Sequence, residues 1–377
     1  MSLVGHASPP DGSATNAEPG IGLCLSGGGF RAMLFHVGAL WRLNDAGLLP
    51  KIVRLSSVSG GSITNGMLAS AWSRLDFDAK GVSRKRFVEL VVEPLRDYAS
   101  RRVDIRAGLS GLLVPGRIGR RVAASYRHHL FRDMTMGQLP ALGLGPRFTF
   151  CATDLGSGHL WYHERDRIGE FESGFVVQHD YPLALAVAAS SAFPPFLSPI
   201  MVDLSDTGTV PPGHPVRYRL CDGGVYDNLG LQPVEGKYQI VLASDAGSPF
   251  VHTDKAPRDW FRQLIHTTEV IDTEVRRLRR GRFVGGLATG EGAYFGIGTD
   301  IAAYAKDANG GLPFDDPMDA PFSKTAKLAA ISTRLSRVPS ETKDLLVNWG
   351  YAVTDAALRK YVCVLEKGIF PYKGGVG

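Results

Sequence analysis

The sequence predicts an α/β fold built on a mostly parallel sheet, and three observations lead there. An apolar strand pattern, a glycine turn and a helical pattern follow one another twice between Ile21 and Trp72. Later apolar runs end in Ser, Asp and Gly, as strands do where an open α/β sheet presents polar loops to a ligand. The 377 residues are 44% hydrophobic and only 21% charged, which suits a large core and excludes a disordered chain.

Ile21 to Leu25 reads as a buried strand stopping at Ser26-Gly27-Gly28-Gly29. From Ala32, apolar residues at Met33, Leu34, Val37, Leu40 and Trp41 give helical spacing, and Gly47 with Pro50 supplies the stop. Ile52 to Ser57 is the second strand, and Gly60-Gly61 opens a second helix through Ile63, Met67, Leu68 and Trp72. Residues 74–146, with scattered Arg, Lys and His, read as an insertion of helices and loops that could cap a site. Arg147 to Asp154 alternates as a strand. Pro182 to Ala189 reads as a helix, and Tyr218 to Cys221 and Tyr238 to Ser244 as strands ending at Asp222-Gly223-Gly224 and Asp245-Ala246-Gly247. Residues 1–19 read as a flexible polar leader, residues 20–377 as one domain, and residues 256–377 as its helical C-terminal part.

Composition narrows the surroundings. Cys24, Cys151, Cys221 and Cys363 lie far apart, which signals neither a zinc site nor a disulfide framework and suits a reducing compartment. No basic segment precedes an apolar one near Met1, so a cytoplasmic protein without a signal peptide is expected. The uncharged stretch Tyr181 to Val202 carries four prolines and reads as buried core rather than a membrane span. A net charge of +5 permits attraction to anionic surfaces without implying it.

Ser59, in Ser57-Val58-Ser59-Gly60-Gly61, follows a strand and precedes a helix, the setting of a nucleophile elbow. There the helix N-terminus aims free N–H groups at developing negative charge. An ordinary N-cap serine would look the same in isolation. Gly27, Gly28 and Gly29 can expose successive N–H groups, as an oxyanion hole requires. A dinucleotide site would also use such glycines, but it needs an acid at the end of the next strand, where Ser56-Ser57 stand. Asp222, followed by two glycines at a strand end, is placed to accept the Ser59 proton. Its bland reading is an Asx turn.

Taken together, these segments resemble the patatin-like phospholipases and lipid acyl hydrolases. Ser26-Gly27-Gly28-Gly29-Phe30-Arg31 looks like that family's G-G-G-x-R/K motif, Ser59 its G-x-S-x-G serine, and Asp222-Gly223-Gly224 its D-G-G/A motif. Ala189-Ser190-Ser191-Ala192-Phe193-Pro194 resembles its A-S-x-A-x-P block. The resemblance implies a three-layer patatin-like fold with a Ser59–Asp222 dyad at the sheet edge. It implies hydrolysis of acyl esters in lipids, phospholipids being the expected substrates, with Ser59 as nucleophile and Asp222 as base. Gly27, Gly28 and Gly29 would form the oxyanion hole, helped by Gly60, and Arg31 would hold a lipid phosphate or a neighbouring carboxylate. No metal or organic cofactor is implied, and the expected partners are a lipid ester and a peripheral membrane surface. Ser57 replaces the family's first elbow glycine, which calls for slight backbone strain, and Ala32 replaces a glycine.

Two other readings stand beside this one: a Ser-His-Asp triad using His252 or His266, and a catalytically silent scaffold of the same fold. His159 and His163 share helical i,i+4 spacing, but without a third ligand they read as flanking Trp161 and Tyr162 on a solvated turn or strand. The cluster Arg276, Arg277, Arg279, Arg280 and Arg282 reads first as a solvated helix face and second as an attraction for anionic headgroups. Nucleic acid is not expected, because no aromatic platform accompanies it.

Overall fold

The computed structural model describes residues 17–103, 117–177, 180–195, 197–205, 210, 215–247, 259–287, 291–306 and 311–377. Strand β1 (Glu18–Leu25) starts inside the expected leader and sends alternate residues to opposite faces. Ile21, Leu23 and Leu25 enter the larger core, while Cys24 enters a smaller one on the other side. Helix α1 (Gly29–Asp45) follows, then β2 (Ile52–Ser57) and α2 (Gly60–Ala71). Both helices are buried along almost their whole length, so their apolar residues need no single stripe.

The expected insertion is helical where described. Residues Lys85–Phe87 (α3), a π-helical turn and Glu93–Tyr98 (α4) run on from one another, and Arg117–Tyr126 (α5) comes later. It belongs to the core: Phe87, Val91, Leu95 and Tyr98 are buried, and Tyr98 meets Phe30 of α1 edge-on at 5.4 Å.

Among the described residues ten strands form one sheet. After β3 (Arg147–Asp154) come β4 (Leu160–His163), β5 (Ile168–Glu170), β6 (Gly174–Val176), helix α6 (Leu183–Ser190), β7 (Ile200–Asp203), β8 (Arg217–Asp222), a short α7 (Gly224–Asp227) and β9 (Tyr238–Asp245). The order β10-β9-β1-β2-β3 is parallel throughout, and β4, β5 and β6 extend it antiparallel. Strand β10 (Glu291–Gly296) lies in the region expected to be purely helical, and corrects that expectation. In the chain it follows helix α8 (Trp260–Gly286) and precedes helices α9 (Ala302–Lys306), α10 (Phe322–Ala329) and α11 (Ser340–Tyr361).

Strand β8 fixes how the site is assembled. Its antiparallel pairing with β3 sets Asp222 opposite Ala152, whereas β2 pairs parallel with β3 and ends with Ser57 opposite Phe150. The two strands approach along β3 from opposite ends, so their carboxyl termini meet almost head-on.

The C-terminal helix is integral to the fold. Leu346, Val347, Trp349, Ala352, Val353 and Ala356 of α11 are buried in the main core. Gly38 of α1 and Gly350 of α11 permit the close contact, since a Cβ on either would collide with the carbonyl of the facing helix, Val347 or Phe35. Arg42 of α1 and Asp355 of α11 form a buried ion pair at 2.7 Å.

Candidate active site

Ser59 sits between β2 and α2 with φ 51° and ψ −119°, a left-handed conformation that a side chain adopts only at a cost. The surroundings hold it there. Its N–H donates to the carbonyl and the hydroxyl of Ser190, each at 3.1 Å, and the Ser191 hydroxyl donates to its carbonyl at 3.3 Å. The strain thus falls on Ser59. Ser57, where it was expected, has no positive φ, and its hydroxyl fits a polar cluster with Ser62 at 2.9 Å and Asn65 at 2.8 Å. Ser62 in turn meets Ser190 at 2.8 Å.

Asp222 is 2% exposed. The Gly224 N–H donates to its Oδ1 at 2.7 Å, and the Ser59 hydroxyl is its hydrogen-bonding partner. Burial pushes its carboxyl from an ordinary value of 3.8 up to about 7, against both hydrogen bonds, and the charge of Asp272 on α8 adds to the rise. A buried carboxylate poised near neutrality beside a half-buried serine is a serviceable base.

The glycine loop divides its duties. Gly27 N–H donates to the Asn228 carbonyl at 3.0 Å, which removes Gly27 from the expected oxyanion donors. Its lack of a side chain still matters, because a Cβ there would stand 3.2 Å from Ser59 Cβ and run into Asn228. Among the described residues no acceptor is found for the N–H groups of Gly28, Gly29 or Gly60, which sit at the starts of α1 and α2. Gly28 has φ 138° and Gly29 φ 59°, so both positions favour glycine.

Arg31 does not face this site, contrary to the anion-binding expectation. It is 1% exposed, and its guanidinium donates to the carbonyls of Ala329 and Ile331 at 2.7 Å each and of Ala246 at 2.6 Å. It ties the C-terminal segment to the loop after β9.

His36 was missed by sequence reasoning. It is fully buried in α1, with Nδ1 2.8 Å from the Ser244 hydroxyl and Nε2 3.0 Å from the Ser26 carbonyl. Burial lowers its pKa to about 4, so it is neutral near pH 7. Neutral imidazole carries one N–H, and the carbonyl requires Nε2 to donate, leaving Nδ1 to accept from Ser244. His36 therefore braces the strand end that launches the glycine loop. Only its position two helical turns beyond the loop hinted at this.

The remaining candidates lie elsewhere. His266 is on α8, 3.5 Å from Glu269, and His252 falls outside the described residues. His163 is buried in β4, not solvated; its Nδ1 lies 3.3 Å from the Phe150 carbonyl, and burial lowers its pKa to about 4. His159 stands 2.8 Å from Glu172 and 3.9 Å from Glu170, two carboxylates that its spacing from His163 did not reveal. Both oxygens of Glu170 accept backbone N–H groups, from Glu172 and Ser173.

Comparison with known proteins bears on the family and the fold. The family model described as patatin-like phospholipase matches residues 23–234. The chain belongs to the patatin-like phospholipase family. No curated protein sequence matches it. Among solved structures, human GIVD cytosolic phospholipase A2 in complex with methyl γ-linolenyl fluorophosphonate is similar at 16% identity and a TM-score of 0.50, over 90% of this chain and 57% of that one. The same enzyme with that inhibitor and terbium chloride gives 14% identity, with the same TM-score and coverage. VipD from Legionella pneumophila is similar at 13% identity over 89% of this chain and 66% of that one, with a TM-score of 0.36. The chain thus spans less than two thirds of the phospholipase A2 chains, and at these identities the likeness is one of fold: a mostly parallel sheet flanked by helices. Among the described residues no helix is long and apolar enough to cross a membrane.

Proposed function

We propose that the protein is a lipid acyl hydrolase of the phospholipase A type, acting through a Ser59–Asp222 dyad and an acyl-enzyme. The observation that carries this reading is the pairing of a serine in a strained strand-to-helix turn with a buried aspartate of pKa about 7. Asp222 takes the hydroxyl proton as Ser59 Oγ bonds to the ester carbonyl carbon, and the carbonyl π electrons become the oxyanion. The N–H groups of Gly28, Gly29 and Gly60 stabilise that charge, with the N-termini of α1 and α2 behind them. Collapse breaks the ester C–O bond, and Asp222 returns its proton to the departing alcohol. Water then attacks the acyl-enzyme, gives its proton to Asp222, and the proton returns to Ser59 as the fatty acid leaves. His36 acts on this only through the loop it braces.

The partner at Ser59 is Asp222, which favours the dyad over a triad using His266. The test is hydrolysis of short-chain p-nitrophenyl esters and phospholipid vesicles by wild type, Ser59→Ala and Asp222→Asn. Fluorophosphonate labelling, the chemistry seen with the phospholipase A2 structures, serves as a second readout. Activity and labelling lost with Ser59→Ala are the expected result. Full activity in either variant would overturn the reading.

A further inference from the structure

Helix α8 has two faces of different character. Trp260, Leu264, Ile271, Val275 and Leu278 are between 38% and 77% exposed. They follow one another in steps of four, seven, four and three residues, which at 3.6 residues per turn confines them to a sector about 60° wide. The opposite face meets the protein. Phe283 packs with Cys24, Leu229 and Leu231. Arg279 lies over the Tyr226 ring at 5.2 Å and 3.9 Å from Asp227, and Arg280 lies over Tyr294 at 5.9 Å, while Arg282, in line with the exposed sector, pairs with Glu235. This revises part of the reading of the arginine cluster as a solvated face, because Arg279 and Arg280 hold the helix to the body, while Arg277 and Arg282 stay exposed.

The contacts also locate α8. Tyr226 and Asp227 belong to α7, directly after Asp222, and the charge of Asp272 reaches the Asp222 carboxylate. The helix therefore crosses the catalytic edge of the sheet, with its apolar sector turned outward. More apolar surface lies beside the site itself: Val225 follows Gly224, and Phe193 follows Ala192, whose carbonyl accepts the Asp222 N–H at 3.0 Å, and both side chains are exposed.

We infer that the outer face of α8 is the surface by which this protein lies on a lipid interface, Trp260, Leu264, Ile271 and Leu278 entering the acyl boundary. Trp and aliphatic residues on one face of an arginine-rich helix are the pattern of an interfacial helix. The helix carries six arginines against three acids, Glu269, Asp272 and Glu274, a positive balance that favours anionic headgroups. A seam between two copies of the chain fits less well. Thr267 and Thr268 interrupt the stripe, and Arg282 stands in its line. A lipid surface in this position brings acyl esters to within about one helix diameter, roughly 10 Å, of the catalytic edge.

The occupant rests on the lipid-ester reading above, but its test does not need catalysis. Full-chain Ser59→Ala is sedimented with vesicles of phosphatidylcholine alone and of equal parts phosphatidylcholine and phosphatidylglycerol. Binding is expected to be tighter to the anionic vesicles, and brominated phosphatidylcholine is expected to quench fluorescence that Trp260→Phe removes. Leu264→Glu, Ile271→Glu and Leu278→Glu combined should weaken binding at least about tenfold. In the wild-type background the same triple variant should still hydrolyse a monomeric p-nitrophenyl ester at the wild-type rate, which guards against misfolding. Unchanged vesicle binding by the triple variant, or no binding by Ser59→Ala, overturns the inference. So does a wild-type dimer that the triple variant converts to monomer while vesicle binding persists. Vesicle binding without any ester hydrolysis would instead remove the catalytic reading and leave this one standing.

Discussion

Asp222→Asn is expected to abolish hydrolysis and to stabilise the fold, by an amount that depends on pH. In the unfolded chain the carboxyl titrates near 3.8, and in the folded protein near 7, because burial disfavours its charge. Between those values the folded state holds a proton that the unfolded state has released. Stability therefore falls as pH rises through that window, and is flat above it. A difference of about three pKa units corresponds to about 4 kcal/mol. Asparagine has no such titration, and its oxygen can still accept the Gly224 N–H. The variant should match wild type near pH 4 and exceed it progressively, by up to about 4 kcal/mol at pH 8. Urea unfolding of both proteins at unit steps from pH 4 to pH 8 measures this. His36 and His163, whose pKa values are lowered to about 4, impose the opposite slope below pH 6.5, but they are common to both proteins and cancel in the difference. The same carboxylate must be ionised to act as base, so kcat/KM for a soluble ester should rise with pH and reach half its plateau near 7. A stability difference that stays constant from pH 5 to pH 8, or an activity limb below about pH 5, would refute the argument that burial tunes Asp222.

Other substitutions separate bracing from chemistry. His36→Leu leaves the buried Ser244 hydroxyl without its acceptor, costing about 1–3 kcal/mol of stability, and lets the glycine loop shift. We expect kcat to drop at least about tenfold with KM little changed, measured on a soluble ester. Arg31→Met strips a donor from the carbonyls of Ala246, Ala329 and Ile331 and should destabilise by at least about 2 kcal/mol in urea, lowering phospholipid and p-nitrophenyl ester hydrolysis alike. A stable variant impaired on phospholipids alone would restore the anion-binding role. A fragment comprising residues 17–234, close to the span of the family match, should fail to give a cooperative unfolding transition. It lacks β9, the strand paired with β1, and α11, which fills the core against α1.

What could be read from the sequence was local. Strand β2, the turn at Ser59 and the start of α2 occupy adjacent residues, and their apolar pattern and glycines announce them directly. Arg147–Asp154 is equally plain, because its alternation is its own. The misreadings of Gly27 and Arg31 concern groups whose partners are remote in the chain. Gly27 looked like an oxyanion donor because nothing near it predicts that the Asn228 carbonyl will take its N–H. Arg31 looked like an anion site because its acceptors, Ala329 and Ile331, are backbone carbonyls about three hundred positions away, and a carbonyl carries no sequence signature. The direction of β8 was equally hidden, since a strand's apolar pattern is the same whichever way it pairs. That direction brings Asp222 to Ser59: with β8 antiparallel to β3, the chain turns at Gly223-Gly224 directly against the end of β2. A parallel β8 along the same three residues of β3 would have set Asp222 opposite Asp154 rather than Ala152, two residues or roughly 7 Å farther from the end of β2 and out of reach of Ser59.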